Sequence, residues 1–291
     1  RKNKLIGPRT DGKERKSFEK EYVNMMWIGD IMYGPYVEGG RHGQRSYLVA
    51  FIEDHSRFII GAKFCTGQDS IAVENTLKNA LGAYGLPARL YLDNGKVFIT
   101  EYLVTAGARL GFQIIHSKPG DSASRGKIER FFRTVRDCFL DGFLAPLKNK
   151  KRPKIEDLND SFSKWLHERY IHRKNSKTGE SPHDRYMKGI AKVKIRKAPM
   201  KKIDQAFLHN IKRTVSKDAL VSIDNIDYEV PGSLIGKRIV LQYVPTKPGI
   251  YYVKDELTGE TVKVLPVNRH KNAEFPIKFG DNRNEDQGEA E

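Results

Sequence analysis

Arg45–Thr66 reads RSYLVAFIEDHSRFIIGAKFCT, two β-branched and aromatic runs separated only by Asp54-His55-Ser56-Arg57. A short polar break between such runs predicts a tight hairpin. Upstream, Asn24–Tyr33 (NMMWIGDIMY) is a third strand-like run, ended by Gly34-Pro35. Downstream the period changes. Asp69–Tyr84 places Ile71, Val73, Leu77, Ala80, Leu81 and Tyr84 near a helical repeat and stops at Gly85-Leu86-Pro87. Arg89–Leu92 is a short strand before Asp93-Asn94-Gly95, Ile99–Leu110 a helix ended by Gly111, and Phe112–His116 a further strand. Ser117–Gly126 is a Gly/Ser/Pro loop, expected to be mobile. Lys127–Leu140 returns to helical spacing with Ile128, Phe131, Phe132, Val135 and Phe139. Strands joined by hairpins, then strands separated by helices, predict an α/β fold: a mixed five-stranded sheet flanked by helices.

The rest of the chain divides by charge and period. Ile155–Arg173 is helical, with Leu158, Phe162, Trp165, Leu166 and Tyr170 on one stripe, and Ser181-Pro182 starts another helix within Thr178–Ile190. From Lys148 to Lys202 there are 18 Lys/Arg against 6 Asp/Glu. Lys192–Lys202 reads as a connector. Beyond it the period becomes two, with short strands at Ala219–Val230, Arg238–Tyr243, Ile250–Lys254 and Thr261–Val264, a small β-barrel. Gly280–Glu291 holds five acids, one Arg and no aromatic residue, and is expected to be disordered. The expected organisation is a basic linker over 1–20, an α/β domain over 21–147, a basic helical segment and connector over 148–205, the barrel over 206–272 and an acidic tail over 273–291.

Composition narrows the class. With 291 residues, 52 Lys/Arg and 36 Asp/Glu, the net charge is +16, which points to a polyanionic partner. The 14 Phe and 13 Tyr suffice to build cores. No run approaches the ~18 apolar residues of a membrane span, so no membrane partner is expected. The basic start lacks the apolar stretch of a signal peptide, and a first residue of Arg1 rather than Met suggests a piece of a longer protein. Cys65 and Cys138 are too few for a disulfide framework or a Cys-rich zinc module and read as reduced core thiols of a cytosolic or nuclear protein.

Three acids stand at positions where acids are costly or prominent. Asp30 lies inside an apolar strand, Asp93 ends another, and Glu129 lies in the first turn of the helix after the loop. Between Asp93 and Glu129 lie 35 residues. Spacing alone is weak, because about 4–5 acid pairs would show any given separation by chance. Asp54 is the rival first carboxylate, with capping of the Asp54–Arg57 turn as its ordinary role. Asp121, in the loop, is a weaker rival. Asn94 is expected to bond the turn backbone. His116, His167 and His172 read as ordinary histidines, since a spacing of five does not put two on one helical face.

Met25–Leu140 resembles the catalytic core of the DDE transposase and retroviral-integrase superfamily. The resemblance covers the element order, the WIGDIMYGP and YLDNG acids, the EDHSRFIIG hairpin and the GKIERFFRTV helix with its 35-residue gap. Tyr170–Tyr186 (YIHRKNSKTGESPHDRY) resembles the segment after the core in insertion-sequence transposases, and residues 208–270 resemble the barrel of phage Mu-type transposases. No His-His-Cys-Cys zinc module is present. The resemblance implies an RNase H-like fold in which Asp30, Asp93 and Glu129 are catalytic and hold two Mg²⁺ ions, for which Mn²⁺ can substitute. It implies cleavage at DNA 3′ ends and strand transfer, acting on transposon-end DNA and target DNA. It further implies a homo-oligomer, dimer or tetramer, on DNA in the bacterial cytoplasm at the nucleoid, and admits an ATPase partner for target selection. Two other readings stand beside it: a catalytically silent DNA-binding descendant, and an RNase H-like metal-dependent nuclease.

DNA contacts are expected from a stripe at spacing three beside Glu129, namely Lys127, Arg130 and Arg133, with Arg136 beyond them. An ordinary solvated face, with Glu129 paired to Arg133, would look the same. Lys148, Lys150, Lys151, Arg152, Arg173 and Lys174 extend the expected surface into the basic segment. Such contacts contribute affinity rather than sequence recognition, and binding should weaken strongly with salt. The barrel either binds DNA across subunits or docks domains.

Overall fold

A computed structural model describes residues 19–117, 125–147, 152–247, 249–255 and 258–268. The chain forms two compact units that divide between Leu208 and His209.

The first unit is built on β1 (Met26–Val37), β2 (Gln44–Glu53) and β3 (Ile59–Cys65), followed by α1 (Ser70–Tyr84), β4 (Arg89–Leu92), α2 (Glu101–Leu110), β5 (Gln113–His116) and α3 (Gly126–Val135). The sheet order is β3-β2-β1-β4-β5. The hairpin-linked strands are antiparallel, and β1, β4 and β5 run parallel. Helix α1 starts where Asp69 accepts from the Ala72 N–H, and α2 starts where Thr100 accepts from Leu103 and ends at Gly111 in the left-handed conformation. Beyond α3 come a π-helical turn (Arg136–Leu140), α4 (Asp141–Leu144), α5 (Ile155–Trp165) with its own π-helical turn (Leu166–Tyr170), α6 (Pro182–Ile190) and α7 (Met200–Ala206).

Strand alternation sorts the side chains into two cores. Trp27, Val49, Phe51, Leu90 and Leu92 face the side packed with Leu77, Leu81 and Leu103. Ile28, Leu48, Ala50, Ile52 and Tyr91 face the side packed with Ile128, Phe131, Val135, Leu158 and Phe162. Asp30 has the parity of Ile28, so it faces α3.

The second unit contains β6 (His209–Thr214), β7 (Leu220–Ile223), β8 (Ile226–Glu229), β9 (Arg238–Tyr243), β10 (Tyr251–Lys254) and β11 (Thr261–Pro266), in sheet order β6-β9-β10-β11-β8-β7. Arg213 Nε on β6 donates to the Ser222 carbonyl on β7 at 3.0 Å, so the sheet nearly closes into a barrel around Val221, Tyr228, Leu241 and Val253.

Several expectations differ from the fold. β1 continues through Gly34-Pro35 because its pairing with β4 ends at Gly29 and its register with β2 shifts between Tyr33 and Tyr36. A proline is tolerated at such an irregular, one-sided position. Ala219–Val230 is a hairpin rather than one strand, turned by Asp224 and Asn225 at φ 49° and 62°. The connector Lys192–Lys202 runs into α7, which buries Ile203 and Ala206. Cys138 is exposed rather than a core thiol, with Arg173 Nη1 at 3.7 Å from its sulfur. The expected acidic tail lies outside the described residues, as do most of the basic linker and of the Ser117–Gly126 loop. No helix of the described residues is long and apolar enough to cross a membrane.

The hairpin turn is held by Glu53 rather than Asp54. Fully buried Glu53 accepts from Ser56 N (2.7 Å), Ser56 Oγ (2.6 Å), Asn24 N (3.2 Å) and His55 N (3.2 Å). Burial pushes its carboxyl above the ordinary 4.5, against these donors. The folded state therefore binds the extra proton between pH 4.5 and the raised value, and the contribution of Glu53 to stability falls as pH rises through that window. Glu53→Gln should flatten this slope in urea-unfolding midpoints. At neutral pH it should cost about 1–3 kcal/mol, because an amide NH₂ then faces N–H donors.

Candidate active site

β1 and β4 are neighbouring parallel strands with Gly29 opposite Leu92. The next residue on each is an aspartate, so Asp30 and Asp93 stand side by side where the pairing ends. Gly29 keeps this junction tight: an added Cβ would come within 2.5 Å of Phe51 Cε1 and 2.7 Å of Leu92 Cδ2. The Asp30 side chain is 9% exposed and that of Asp93 23%. Burial pushes the Asp30 carboxyl above its usual range, and the nearby Asp93 charge adds to this, while the Ile31 N–H (2.8 Å) and Arg125 oppose it. Asp93 Oδ1 accepts from Gly95 N at 2.8 Å. Asn94 Nδ2 donates to the Ser117 carbonyl at 2.7 Å, and Ser117 N to the Leu92 carbonyl at 2.9 Å, so the turn is tied to the end of β5. His116 Nδ1 lies 3.2 Å from the Asp93 carbonyl.

A residue the sequence reading passed over joins the two acids. Arg125 Nη2 lies 3.1 Å from Asp30 Oδ2 and 3.8 Å from Asp93 Oδ2. Its Nε is buried without a hydrogen-bond partner among the described residues. The available signal was a basic residue four places before Glu129, at the junction of loop and helix. Glu129 N donates to the Arg125 carbonyl at 3.0 Å, and the Glu129 charge also acts on Arg125. Glu129 itself is exposed, and the described residues contain no group of three acids, histidines or cysteines close enough to share a metal ion. Asp30 and Asp93 nonetheless fit a hard cation. They are converging oxygen donors, and a guanidinium already serves as cation between them.

Asp54 is not part of this pair. It is fully buried, bonded by Lys127 Nζ and by Lys20 N at 2.7 Å. Lys127, expected on a DNA-facing stripe, thus has an internal partner, and its side chain is only 10% exposed. Glu129 and Arg133 form no ion pair among the described residues.

Four expected DNA-contact residues meet on the far side of α3. Lys127, Arg130, Arg173 and Lys174 line a cavity of about 220 Å³ together with Arg57, which the sequence reading treated only as a turn residue. Arg133 is exposed on α3, and Arg152 lies across Gly43. Lys148, Lys150, Lys151 and Asp121 lie outside the described residues.

Residues 21–122 match the family model of the integrase core domain. The transposase of transposon Tn552 from Staphylococcus aureus is 26% identical over 157 residues, which cover 49% of this chain and 32% of that protein. The chain thus spans about a third of the length of this curated relative. A chain of the simian T-cell lymphotropic virus intasome, solved by cryo-electron microscopy in complex with PP2A regulatory subunit B56 gamma, is similar in fold. Its TM-score is 0.51 at 15% identity, over 86% of this chain and 79% of that one. The HTLV-2 integrase catalytic core domain, solved in complex with magnesium, gives a TM-score of 0.45 at 14% identity over 57% of this chain and 98% of that one. The matched segment holds β1 to β5 with Asp30 and Asp93, and it is over residues 21–122 that the chain is similar to the integrase core domain.

Proposed function

We propose that this chain is the catalytic part of a transposase that cleaves DNA at the 3′ ends of a mobile element and joins those ends to target DNA. The observation that carries this reading is the buried Asp30 beside Asp93, with a cation between them. Asp30, Asp93 and Glu129 would hold Mg²⁺, two ions in our reading, with Mn²⁺ able to substitute. When bound, such a pair of ions stabilises both the entering and the leaving oxygen of an in-line phosphoryl transfer. Water opens a phosphodiester at the element end and leaves a 3′-OH. That hydroxyl then attacks a target phosphodiester, so one P–O bond forms as another breaks and no external energy source is required. Joining two ends to one target calls for a homo-oligomer on DNA, in the cytoplasm at the bacterial nucleoid, and leaves a place for an ATPase that selects the target.

In this reading Arg125 neutralises the aspartate pair until a divalent cation replaces it. Breaking its ion pairs costs about 1 kcal/mol, since Arg125 is one-third exposed. Arg125→Ala should therefore unfold at lower temperature in chelator and gain more than wild type from Mg²⁺, with apparent metal affinity up to about tenfold tighter. Thermal unfolding across a Mg²⁺ titration measures this. Equal Mg²⁺ shifts in both proteins would show that Arg125 does not compete for the acids.

Arg125 is also the one observation that favours the silent DNA-binding reading, because an ion-paired active site needs no metal. A strand-transfer assay separates the alternatives. It uses this chain, Mg²⁺ and labelled DNA carrying the element's own ends. Joined product supports the transposase. Binding without nicking or joining supports the silent protein, and nicking without joining supports the nuclease.

A further inference from the structure

The cavity on the far side of α3 is separate from the acids. At about 100° per residue, Lys127, Arg130 and Thr134 lie roughly 140–200° around the helix from Arg125, whereas Glu129 lies about 40° from it. A helix about 10–12 Å across, side chains included, therefore stands between the cavity and the aspartate pair. Whatever the cavity binds is not the phosphate undergoing reaction.

Its chemistry is that of an oxyanion seat. The lining includes Arg57, Lys127, Arg130, Arg173 and Lys174 and no acidic residue. Glu19 pairs with Arg57 (2.6 Å) and Asp54 with Lys127, which leaves three cations, Arg130, Arg173 and Lys174, without a carboxylate partner among the described residues. Phe131 and Tyr170 form an apolar part of the wall, which lowers the local dielectric and strengthens attraction to an anion. Among the lining residues Arg57 is only 9% exposed, with Nη1 buried and lacking a hydrogen-bond partner among the described residues. Buried guanidinium N–H groups are rarely left unpaired, and a phosphate oxygen would satisfy this one. Arg57 also holds φ at +67°, a left-handed conformation that suits Gly or Asn far better than a long side chain. Such strain persists where the side chain has a use.

We propose that this cavity seats one backbone phosphate of bound DNA, away from the reacting phosphate, with Arg57 as its buried anchor and Arg130, Arg173 and Lys174 closing over it. The proposal rests on the DNA-acting reading above and names a contact that reading does not require.

The test is run on the full chain in chelator, so it is independent of catalysis. Binding of a short fluorescein-labelled duplex is followed by anisotropy across a salt series. Arg130→Ala and Lys174→Ala, both exposed, and Arg57→Gln should each weaken binding about tenfold and reduce the salt slope by about one. If Arg57→Gln does not fold, as judged by circular dichroism, the two exposed variants carry the test. Combining Arg130→Ala with Lys174→Ala should weaken binding by less than the product of the single effects, because both hold the same phosphate. In a scan with single methylphosphonate substitutions, one position should weaken the wild type and leave the Lys174→Ala variant indifferent. Inorganic phosphate, exchanged for chloride at constant ionic strength, should displace DNA from the wild type more readily than from the variants. Variants that match the wild type in affinity and salt slope would overturn the proposal. So would inorganic phosphate that binds the wild type saturably without displacing DNA, since the cavity would then serve a free oxyanion. A wild-type chain that binds no DNA would sink the DNA-acting reading itself, and the phosphate seat with it.

Discussion

On the proposed function, Asp93→Asn should reduce joining of element ends by about 1,000-fold or more while leaving fold and DNA binding in place. Removing a carboxylate ligand takes away several kcal/mol of charge stabilisation in the transition state, and each 1.36 kcal/mol is a factor of ten in rate. The substitution is structurally mild. Asp93 uses Oδ1 to accept from Gly95 N, and an asparagine carbonyl oxygen accepts equally well. Only Oδ2, the oxygen turned toward Arg125 at 3.8 Å, changes its character. Joining assays in Mg²⁺, anisotropy on the same DNA and a thermal melt together check the claim. A variant that joins at the wild-type rate removes Asp93 from the chemistry. A variant that melts far below wild type leaves loss of fold as the explanation.

The pair Asp30 and Asp93 was legible because each announces itself locally. An aspartate within MMWIGDIMY is out of place in an apolar strand, and one followed by Asn-Gly marks a strand end. That the two meet follows only from the parallel register of β1 and β4, which no local pattern encodes. Arg125 and Arg57 were invisible for the same reason. Each looks like a loop or turn residue, and each acquires its role from a partner far away in the chain, Asp30 for the first and Glu19 for the second. The turn shows how adjacent acids mislead. Either Glu53 or Asp54 could cap it by sequence, and alternation along β2 decides that Glu53 faces the turn donors. Elements with little apolar content were missed altogether. β6 reads HNIKRT, and α7 begins within a run of lysines, so neither shows a periodic signal even though α7 buries Ile203 and Ala206. Charge drew attention to the basic segment, yet some of its charges are structural. Arg185 bonds Glu19, and Arg196 donates to the Gly111 (2.9 Å) and Pro87 (2.7 Å) carbonyls.

Lys127 is the sharpest case of a structural charge, and Lys127→Met should destabilise the protein by about 3–5 kcal/mol. That is the usual cost of removing one partner of a buried ion pair, because the other charge stays buried and uncompensated. Here the other charge is Asp54, with no exposed surface and the Lys20 N–H as a further donor. Arg130→Ala, one turn along α3 and exposed, should change stability by no more than about 0.5 kcal/mol. Adding Asp54→Asn to Lys127→Met should recover part of the loss, because the uncompensated carboxylate is then gone. The pair fastens the first turn of α3 to the β2–β3 turn, and Arg125, which bonds Asp30, immediately precedes that first turn. Lys127→Met should therefore lower joining activity as well, in proportion to the unfolded or displaced fraction rather than through a lost DNA contact. Urea midpoints for the two single variants and the double variant complete the cycle. A Lys127→Met protein with the wild-type midpoint and weakened DNA binding would instead make Lys127 a phosphate contact, and the orientation of α3 would then depend on its apolar residues Ile128, Phe131, Phe132 and Val135.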